Sequence, residues 1–409
     1  MKRLYHLLQR LTPDRVQALR AFLYRLRDWR NGRARTPFLK IRPAVLREPA
    51  LLVDVSEVTV THAATGIQRV TRHVLAELRR KETVIPVRNV CGHLVTACQY
   101  DCFEAHVPFD GNEERVEFLP GDRLFLLDAS WLQVGDFQVI VREAERCGVP
   151  VYGMVHDIFP ILHPTWFASH VFVRSFIDWH QMLCQSATTI FCVSQTTAQD
   201  LGACASAWQL PLPHFVVTYV GVDLEKREGH PRQRLRAFME GRQTFLMVGT
   251  VEERKEQAFV CSAMRPLLAT GTRLLLLGHA GKGAEALRHL LRTDEVLQEN
   301  VLWLEDATDE ELAWAYGHAE ALLMASRAEG FGLPLIEAAK YGCPIICTDL
   351  PIFREVTAGA VTYFPVGDGE ALRTILRAWR GAEDHPRMRL PLSYTWQAVA
   401  DKIDQAMRK

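Results

Sequence analysis

No apolar run in these 409 residues approaches the roughly 20 that a membrane-spanning helix needs; stretches such as LLLLG, Leu274 to Gly278, are short. The sequence opens at Met1 on a basic amphipathic stretch instead of an apolar segment with a cleavage site. Both absences predict an unexported, cytoplasmic chain. None of the ten cysteines forms a CxxC pair, and Cys192 and Cys347 sit inside apolar, strand-like runs. That usage predicts buried thiols in a reducing compartment. Cys91, Cys98 and Cys102 with His93 and His106 are the one cluster resembling metal ligands. Its spacing is irregular, which predicts a loop and strand edge, so no metal site is assigned. The triplet D-x-D is also missing. With 48% apolar residues the chain is not disordered, and its length allows two or more domains, each with a core.

Net charge is zero, yet its distribution is uneven. Residues 1–43 hold twelve Lys or Arg against only Asp14 and Asp28. Leu4, Leu7, Leu8 and Leu11 recur at helical spacing, and Thr12-Pro13-Asp14 then offers a cap, a first-turn proline and an acidic first turn. A second amphipathic helix should follow, with Val16, Leu19, Phe22, Leu23, Leu26 and Trp29 on its apolar face. Arg15, Arg20, Arg25, Arg27 and Arg30 load its polar side. That composition suits a helix lying on an anionic membrane surface, or one packed on the body with a solvated basic face. Nucleic acid is not an expected partner, because no aromatic stacking platform accompanies the charge.

From Leu51 strand-like and helical segments alternate. LLVDV (Leu51 to Val55), RLFLLD (Arg123 to Asp128), VPVYGMVHD (Val149 to Asp157), TIFCVS (Thr189 to Ser194) and FVVTYVG (Phe215 to Gly221) read as strands. Ile67, Val70, Val74 and Leu78 stripe the first intervening helix. The rhythm restarts with TFLMVGT (Thr244 to Thr250), RLLLLG (Arg273 to Gly278), VLWL (Val301 to Leu304), ALLMAS (Ala321 to Ser326) and PIICTD (Pro344 to Asp349). Between the two sets lies the breaker-rich DLEKREGHPRQR, Asp223 to Arg234, the natural linker. Strand followed by helix, repeated, predicts two α/β domains with parallel sheets covered on both faces.

Two carboxylates, Glu329 and Glu337, bracket a glycine turn in SRAEGFGLPLIEAAKYGCP, Ser326 to Pro344. ALLMAS ends as a strand, Gly330 and Gly332 turn the chain, Pro334 opens a helix, and Gly342 with Pro344 ends it. A helix N-terminus favours a phosphate or an electron-rich hydroxyl. A carboxylate beside a phosphate at about 4 Å costs roughly 4 kcal/mol at an effective dielectric near 20. The two carboxylates therefore face neutral hydroxyls: Glu337 a ribose diol and Glu329 the far end of the ligand. Diol, diphosphate and polyol together describe a nucleotide sugar.

EGFGLPLIE, Glu329 to Glu337, resembles the E-x7-E motif of glycosyltransferase family 4, retaining enzymes of the GT-B fold. VGTVEERKE (Val248 to Glu256) resembles that family's diphosphate loop, with Glu253 where Pro is common and Glu256 where Asn is common. TGIQRV (Thr65 to Val70), VHDIFPILHP (Val155 to Pro164), GVD (Gly221 to Asp223) and the run Asp306 to Gly332 extend the likeness over most of the chain. It implies an α/β architecture of two doubly wound Rossmann-like domains facing a cleft, with an N-terminal helical extension. The expected layout is an extension at 1–45, an acceptor domain at 46–225, a nucleotide-sugar domain at 226–385 and a last segment, 386–409, crossing back to the first domain.

The resemblance implies catalytic roles for His156, Glu329 and Lys255. Donor contacts are implied for Gly66, Arg254, Lys255, Gly330, Phe331, Gly332, Leu333 and Glu337, with Arg69 and Asp157 in support. It implies transfer of a hexose, best read as mannose, from a GDP- or UDP-linked donor to a saccharide acceptor, expected to be lipid-linked, in bacterial surface polysaccharide synthesis. No cofactor and no metal are expected. A sugar-nucleotide epimerase of the same architecture and a catalytically inactive binding relative are the other readings. The first would release product without an acceptor, and the second would be expected to have lost Glu329 or Lys255.

Overall fold

A computed structural model describes residues 39–61, 66–106, 110–167, 169–223, 230–379 and 384–409, with positions 19, 22, 23, 26, 29 and 30. Most of the basic segment 1–43, including the helix read at Leu4 to Leu11 and the Thr12-Pro13-Asp14 start, lies outside the described residues. So does the middle of the expected linker, residues 224–229. The chain divides into two compact units. One comprises Met1–Val193, Thr197–Thr218 and Trp396–Lys409; the other comprises Ser194–Thr196 and Tyr219–Thr395.

The first unit is built on a seven-stranded sheet in the order β4-β3-β2-β6-β7-β8-β9. Its strands are β2 (Leu51–Asp54), β3 (Val84–Val90), β4 (His93–Thr96), β6 (Arg123–Leu126), β7 (Val151–Val155), β8 (Thr189–Cys192) and β9 (Phe215–Val217). Only β4 runs antiparallel, as the second arm of a hairpin whose turn carries Cys91 in the left-handed region at φ 51°. A short parallel pair, β1 (Lys40–Arg42) with β5 (Asn112–Glu114), stands apart from it. Central strands buried on both faces explain why β2 and β7 read as unbroken apolar runs. Helix Gly66–Arg79 buries Val70, Val74, Leu75 and Leu78. The final helix, Trp396–Met407, lies within this unit, where Trp396 stacks on His73 at 4.5 Å and the Tyr152 hydroxyl donates to the Met407 carbonyl at 3.3 Å.

The second unit carries a six-stranded, all-parallel sheet in the order β12-β11-β10-β13-β14-β15. These strands are β10 (Thr244–Val248), β11 (Arg273–Leu277), β12 (Val301–Leu304), β13 (Ala321–Met324), β14 (Ile345–Thr348) and β15 (Thr362–Phe364). Counted within the unit the order is 3-2-1-4-5-6, the doubly wound arrangement in which ligands bind beyond the carboxyl ends of the strands where the order reverses. That reversal falls between β10 and β13, so the segments leaving those two strands define the place to look.

Candidate functional site

In the second unit the segment leaving β10 and the segment leaving β13 are laced together. Glu253–Lys255 form one turn of 3-10 helix. The Arg327 amide donates to the Arg254 carbonyl at 2.8 Å, and Arg254 Nη1 returns a bond to the Ala328 carbonyl at 3.0 Å. Arg254 Nη1 lies 3.0 Å from Glu329 Oε1, its Nε lies 2.9 Å from Glu252 Oε2, and Lys255 Nζ lies 3.8 Å from Glu329 Oε1. Ser326 Oγ donates to the same Glu329 oxygen at 2.9 Å. Burial disfavours the charged carboxylate, but Arg254, Lys255 and the Ser326 hydroxyl together outweigh it and hold Glu329 below the usual carboxylate range. Glu329 is thus an anion at neutral pH.

Gly249 explains how Lys255 folds back into this cluster. A β-carbon there would stand 2.5 Å from Lys255 Nζ, and its φ of 121° disfavours any side chain. The family position where Asn is common has a local reason too. Glu256 occupies it at φ 58°, left-handed backbone that Asn tolerates and Glu does not favour. The loop therefore keeps its shape despite the Glu, at the cost of local strain.

After β13, Gly332 at φ 95° turns the chain into helix Leu333–Tyr341, with Pro334 in its first turn and Gly342 at φ 71° closing it. Gly330, Phe331 and Leu333 sit around that N-terminus, and Phe331 is buried. Glu337, one turn into the helix, is only 5% exposed and accepts the Tyr316 hydroxyl at 2.8 Å. Tyr316 comes from the neighbouring helix Asp309–His318, is itself 1% exposed, and stacks on Tyr341 at 5.8 Å. Sequence reasoning missed Tyr316, since no spacing ties it to Glu337.

The first unit holds the other expected positions. His156 follows β7 and is buried; its Nε2 donates to the Leu127 carbonyl at 3.1 Å. That bond places the proton on Nε2 and makes Nδ1 the acceptor nitrogen. Burial pushes the imidazole pKa down to about 4, so the ring is neutral at pH 7. Asp157 precedes the short helix Phe159–Leu162, and its Oδ1 accepts the Phe159 amide at 3.3 Å. Gly66 opens helix Gly66–Arg79 and is exposed, and Arg69 is half-buried on its first turn. Among the described residues no group of His, Cys, Asp and Glu is placed to hold a metal ion.

A feature that the sequence did not signal lies at the carboxyl ends of β2 and β6. Asp54 accepts from the Ser56 amide at 3.0 Å and from the Ser130 hydroxyl at 2.6 Å. Asp128 accepts from the Val58 amide at 2.7 Å and the Ala129 amide at 2.8 Å. Burial raises both carboxyls above the ordinary range, and the nearby Asp54 raises Asp128 further. The pair holds the start of the short helix Ser56–Thr61 through the Ser56 and Val58 amides.

Comparison with known proteins bears on this arrangement. Residues 233–384 match the model for "Glycosyl transferases group 1". The serotype-specific mannosyltransferase WbdA of Escherichia coli is 33% identical over an alignment 380 residues long that covers 86% of this chain and 45% of the relative. The O-antigen chain mannosyltransferase RfbU of Salmonella typhimurium is 25% identical over 228 residues, 54% of this chain and 59% of the relative. The chain thus spans about half the length of these curated relatives. Among solved structures, Anabaena HepE in complex with UDP superposes with TM-score 0.64 at 14% identity, covering 88% of this chain and 100% of that one. A sucrose-phosphate synthase from Thermosynechococcus elongatus gives TM-score 0.62 at 16% identity, covering 88% and 98%. Two doubly wound units, the laced segments beyond β10 and β13, and these likenesses agree: the chain carries a glycosyl transferases group 1 domain on the GT-B fold.

Proposed function

We propose that the protein transfers a hexose, mannose in the first instance, from a nucleoside-diphosphate sugar to a saccharide acceptor with retention of anomeric configuration. The observation that carries this reading is the cluster of Arg254, Lys255 and Glu329 beside the N-terminus of helix Leu333–Tyr341. Two fixed cations suit a diphosphate that gains negative charge as the anomeric C–O bond breaks. Helix amides of Phe331, Gly332 and Leu333, with Glu329, suit sugar hydroxyls, and Glu337, held by Tyr316, suits a ribose diol. In this reading Arg254 and Lys255 supply the positive charge that faces the donor diphosphate, and no metal or cofactor is invoked.

In this reading the acceptor attacks on the face that the diphosphate leaves, and a departing phosphate oxygen takes the acceptor proton. His156, with its proton committed to the Leu127 carbonyl, accepts from a sugar hydroxyl through Nδ1 and orients the sugar. It does not protonate the leaving oxygen. Mannose is favoured because WbdA and RfbU are mannosyltransferases, the latter of O-antigen chains. A lipid-linked acceptor at the cytoplasmic face of a membrane fits the basic segment 1–43, whose described positions Phe22, Leu23 and Trp29 are 43%, 47% and 47% exposed. No helix among the described residues is long and apolar enough to cross a membrane.

The test is a panel of GDP- and UDP-sugars with and without a lipid-linked saccharide. Acceptor-dependent transfer from GDP-mannose supports the reading. Acceptor-independent release of free sugar would favour an epimerase, and inertness toward every donor would refute transfer.

A further inference from the structure

The two cations stand on a loop whose own shape needs an explanation, because Thr250–Glu256 is not part of a helix or strand apart from one 3-10 turn. Three successive amides show how it is held. The Val251 amide donates to the His279 carbonyl at 2.9 Å, and the Glu253 amide donates to the Lys282 carbonyl at 3.0 Å. The amide between them, Glu252, donates to Gln257 Oε1 at 3.3 Å. Gln257 Nε2 completes the clasp by donating to the Thr250 carbonyl at 3.1 Å. Gln257 is the first residue of helix Gln257–Leu268 and is only 4% exposed, so its amide is anchored to the body of the unit.

The opposite side of the loop is set by the segment Gly278 to Gly283. The Gly281 amide donates to the Val251 carbonyl at 3.1 Å. A β-carbon on Gly281 would lie 2.7 Å from Thr250 Cγ2 and 2.8 Å from the Val251 carbonyl oxygen. Only glycine permits that approach.

We propose that Gln257 is a positioning residue for the donor diphosphate: one buried side-chain amide, working against the glycine segment 278–283, fixes the loop so that Arg254 and Lys255 converge beside Glu329. The inference rests on the reading of Arg254 and Lys255 as diphosphate ligands. Gln257 touches neither substrate nor reacting atoms, and its effect passes through Lys255 and Arg254. It follows that its loss should matter only while those cations are present.

Calorimetric titration with GDP and UDP of the full chain and of Gln257→Met, Lys255→Ala and the double variant tests this. Gln257→Met removes both hydrogen bonds and should weaken binding of the tighter nucleotide by about tenfold. In the Lys255→Ala background the same change should cost clearly less, about threefold, because only Arg254 is left for the loop to position; a smaller loss there is the mark of coupled residues. Gln257→Glu keeps the acceptor for Glu252 and loses the donor to Thr250; it should fall between wild type and Gln257→Met, and it carries the test if Gln257→Met does not fold. Unchanged affinity in folded Gln257→Met and Gln257→Glu, with weakened binding in Lys255→Ala, would overturn the positioning role and leave the diphosphate reading standing. Equal losses from Gln257→Met in both backgrounds would mark a merely structural residue and overturn it too. Wild-type affinity in Lys255→Ala would instead remove the diphosphate reading itself.

Discussion

Arg254 Nη1 and Glu329 Oε1 lie 3.0 Å apart, and that one carboxylate oxygen also lies 3.8 Å from Lys255 Nζ. Glu252 Oε2 lies 2.9 Å from Arg254 Nε as well, so Glu329 and Glu252 together balance the two cations before a donor arrives. In the proposed reading Glu329 acts in two separable ways: its charge opposes a bound phosphate, and its oxygens accept from sugar hydroxyls.

Glu329→Gln keeps the shape and removes the charge. Transfer should drop by about 10² because an oriented contact to the reacting sugar is lost. Affinity for the nucleoside diphosphate alone should stay level or tighten, since a neighbouring negative charge is gone. Steady-state kinetics with calorimetry checks both. Weaker nucleotide binding with normal turnover would reverse the assignment.

Tyr316→Phe removes the hydroxyl that donates to Glu337 at 2.8 Å in a site where both side chains are buried. Leaving that carboxylate short of one donor should cost about 1–3 kcal/mol of stability. Nucleotide affinity should weaken while the chain still folds. Thermal unfolding and calorimetry measure the two effects, and unchanged nucleotide affinity would detach Tyr316 and Glu337 from the ribose.

Glu256 gives a stability prediction with the opposite sign. Its left-handed backbone costs roughly 1–2 kcal/mol relative to a residue that accepts it. The ion pair lost on substitution, Arg327 Nη1 to Glu256 Oε1 at 3.6 Å, is partly exposed and worth little. Glu256→Asn should accordingly raise the unfolding temperature with activity retained. A lowered unfolding temperature would show that the side chain matters more than the backbone.

The buried carboxylates of Asp54 and Asp128 predict a pH dependence. Their folded-state pKa values are raised, so the stability they contribute is complete below the ordinary carboxylate pKa and is lost as pH rises through the raised values. His156 acts the other way: its value is depressed to about 4, so its contribution is present above the ordinary imidazole pKa and lost as pH falls toward that value. Asp128→Asn should flatten the decline in unfolding temperature between the ordinary carboxylate pKa and the raised value of about 8. A wild-type profile without such a decline would contradict the shared-burial account.

Much of this was legible in the sequence because parallel strands buried on both faces write themselves as apolar runs. Every strand read from such a run has a counterpart, from Leu51–Asp54 to Ile345–Thr348. The hairpin Val84–Val90 with His93–Thr96 was not read, since Pro86, Arg88 and Asn89 interrupt the pattern while the fold pairs Arg88 with buried Glu113 at 2.6 Å. Short strands such as Lys40–Arg42 and Thr362–Phe364 are three residues long and carry no period to detect. The site shows the same division. Glycines and carboxylates at fixed spacing mark the turn at Glu329 to Glu337, whereas Tyr316, Gln257 and the Asp54 and Asp128 pair act through contacts that only the folded chain creates.

The central claim is that Lys255, with Arg254, receives the leaving diphosphate, and the most direct measurement is transfer by Lys255→Ala. Radiolabelled sugar incorporation from GDP-mannose into a lipid-linked saccharide is followed for wild type and variant, with thermal unfolding as a control for folding. A fall of about 10² or more in kcat is expected with little change in unfolding temperature, because a charge-assisted contact strengthens as the bond breaks. Wild-type turnover by a folded Lys255→Ala protein would contradict it.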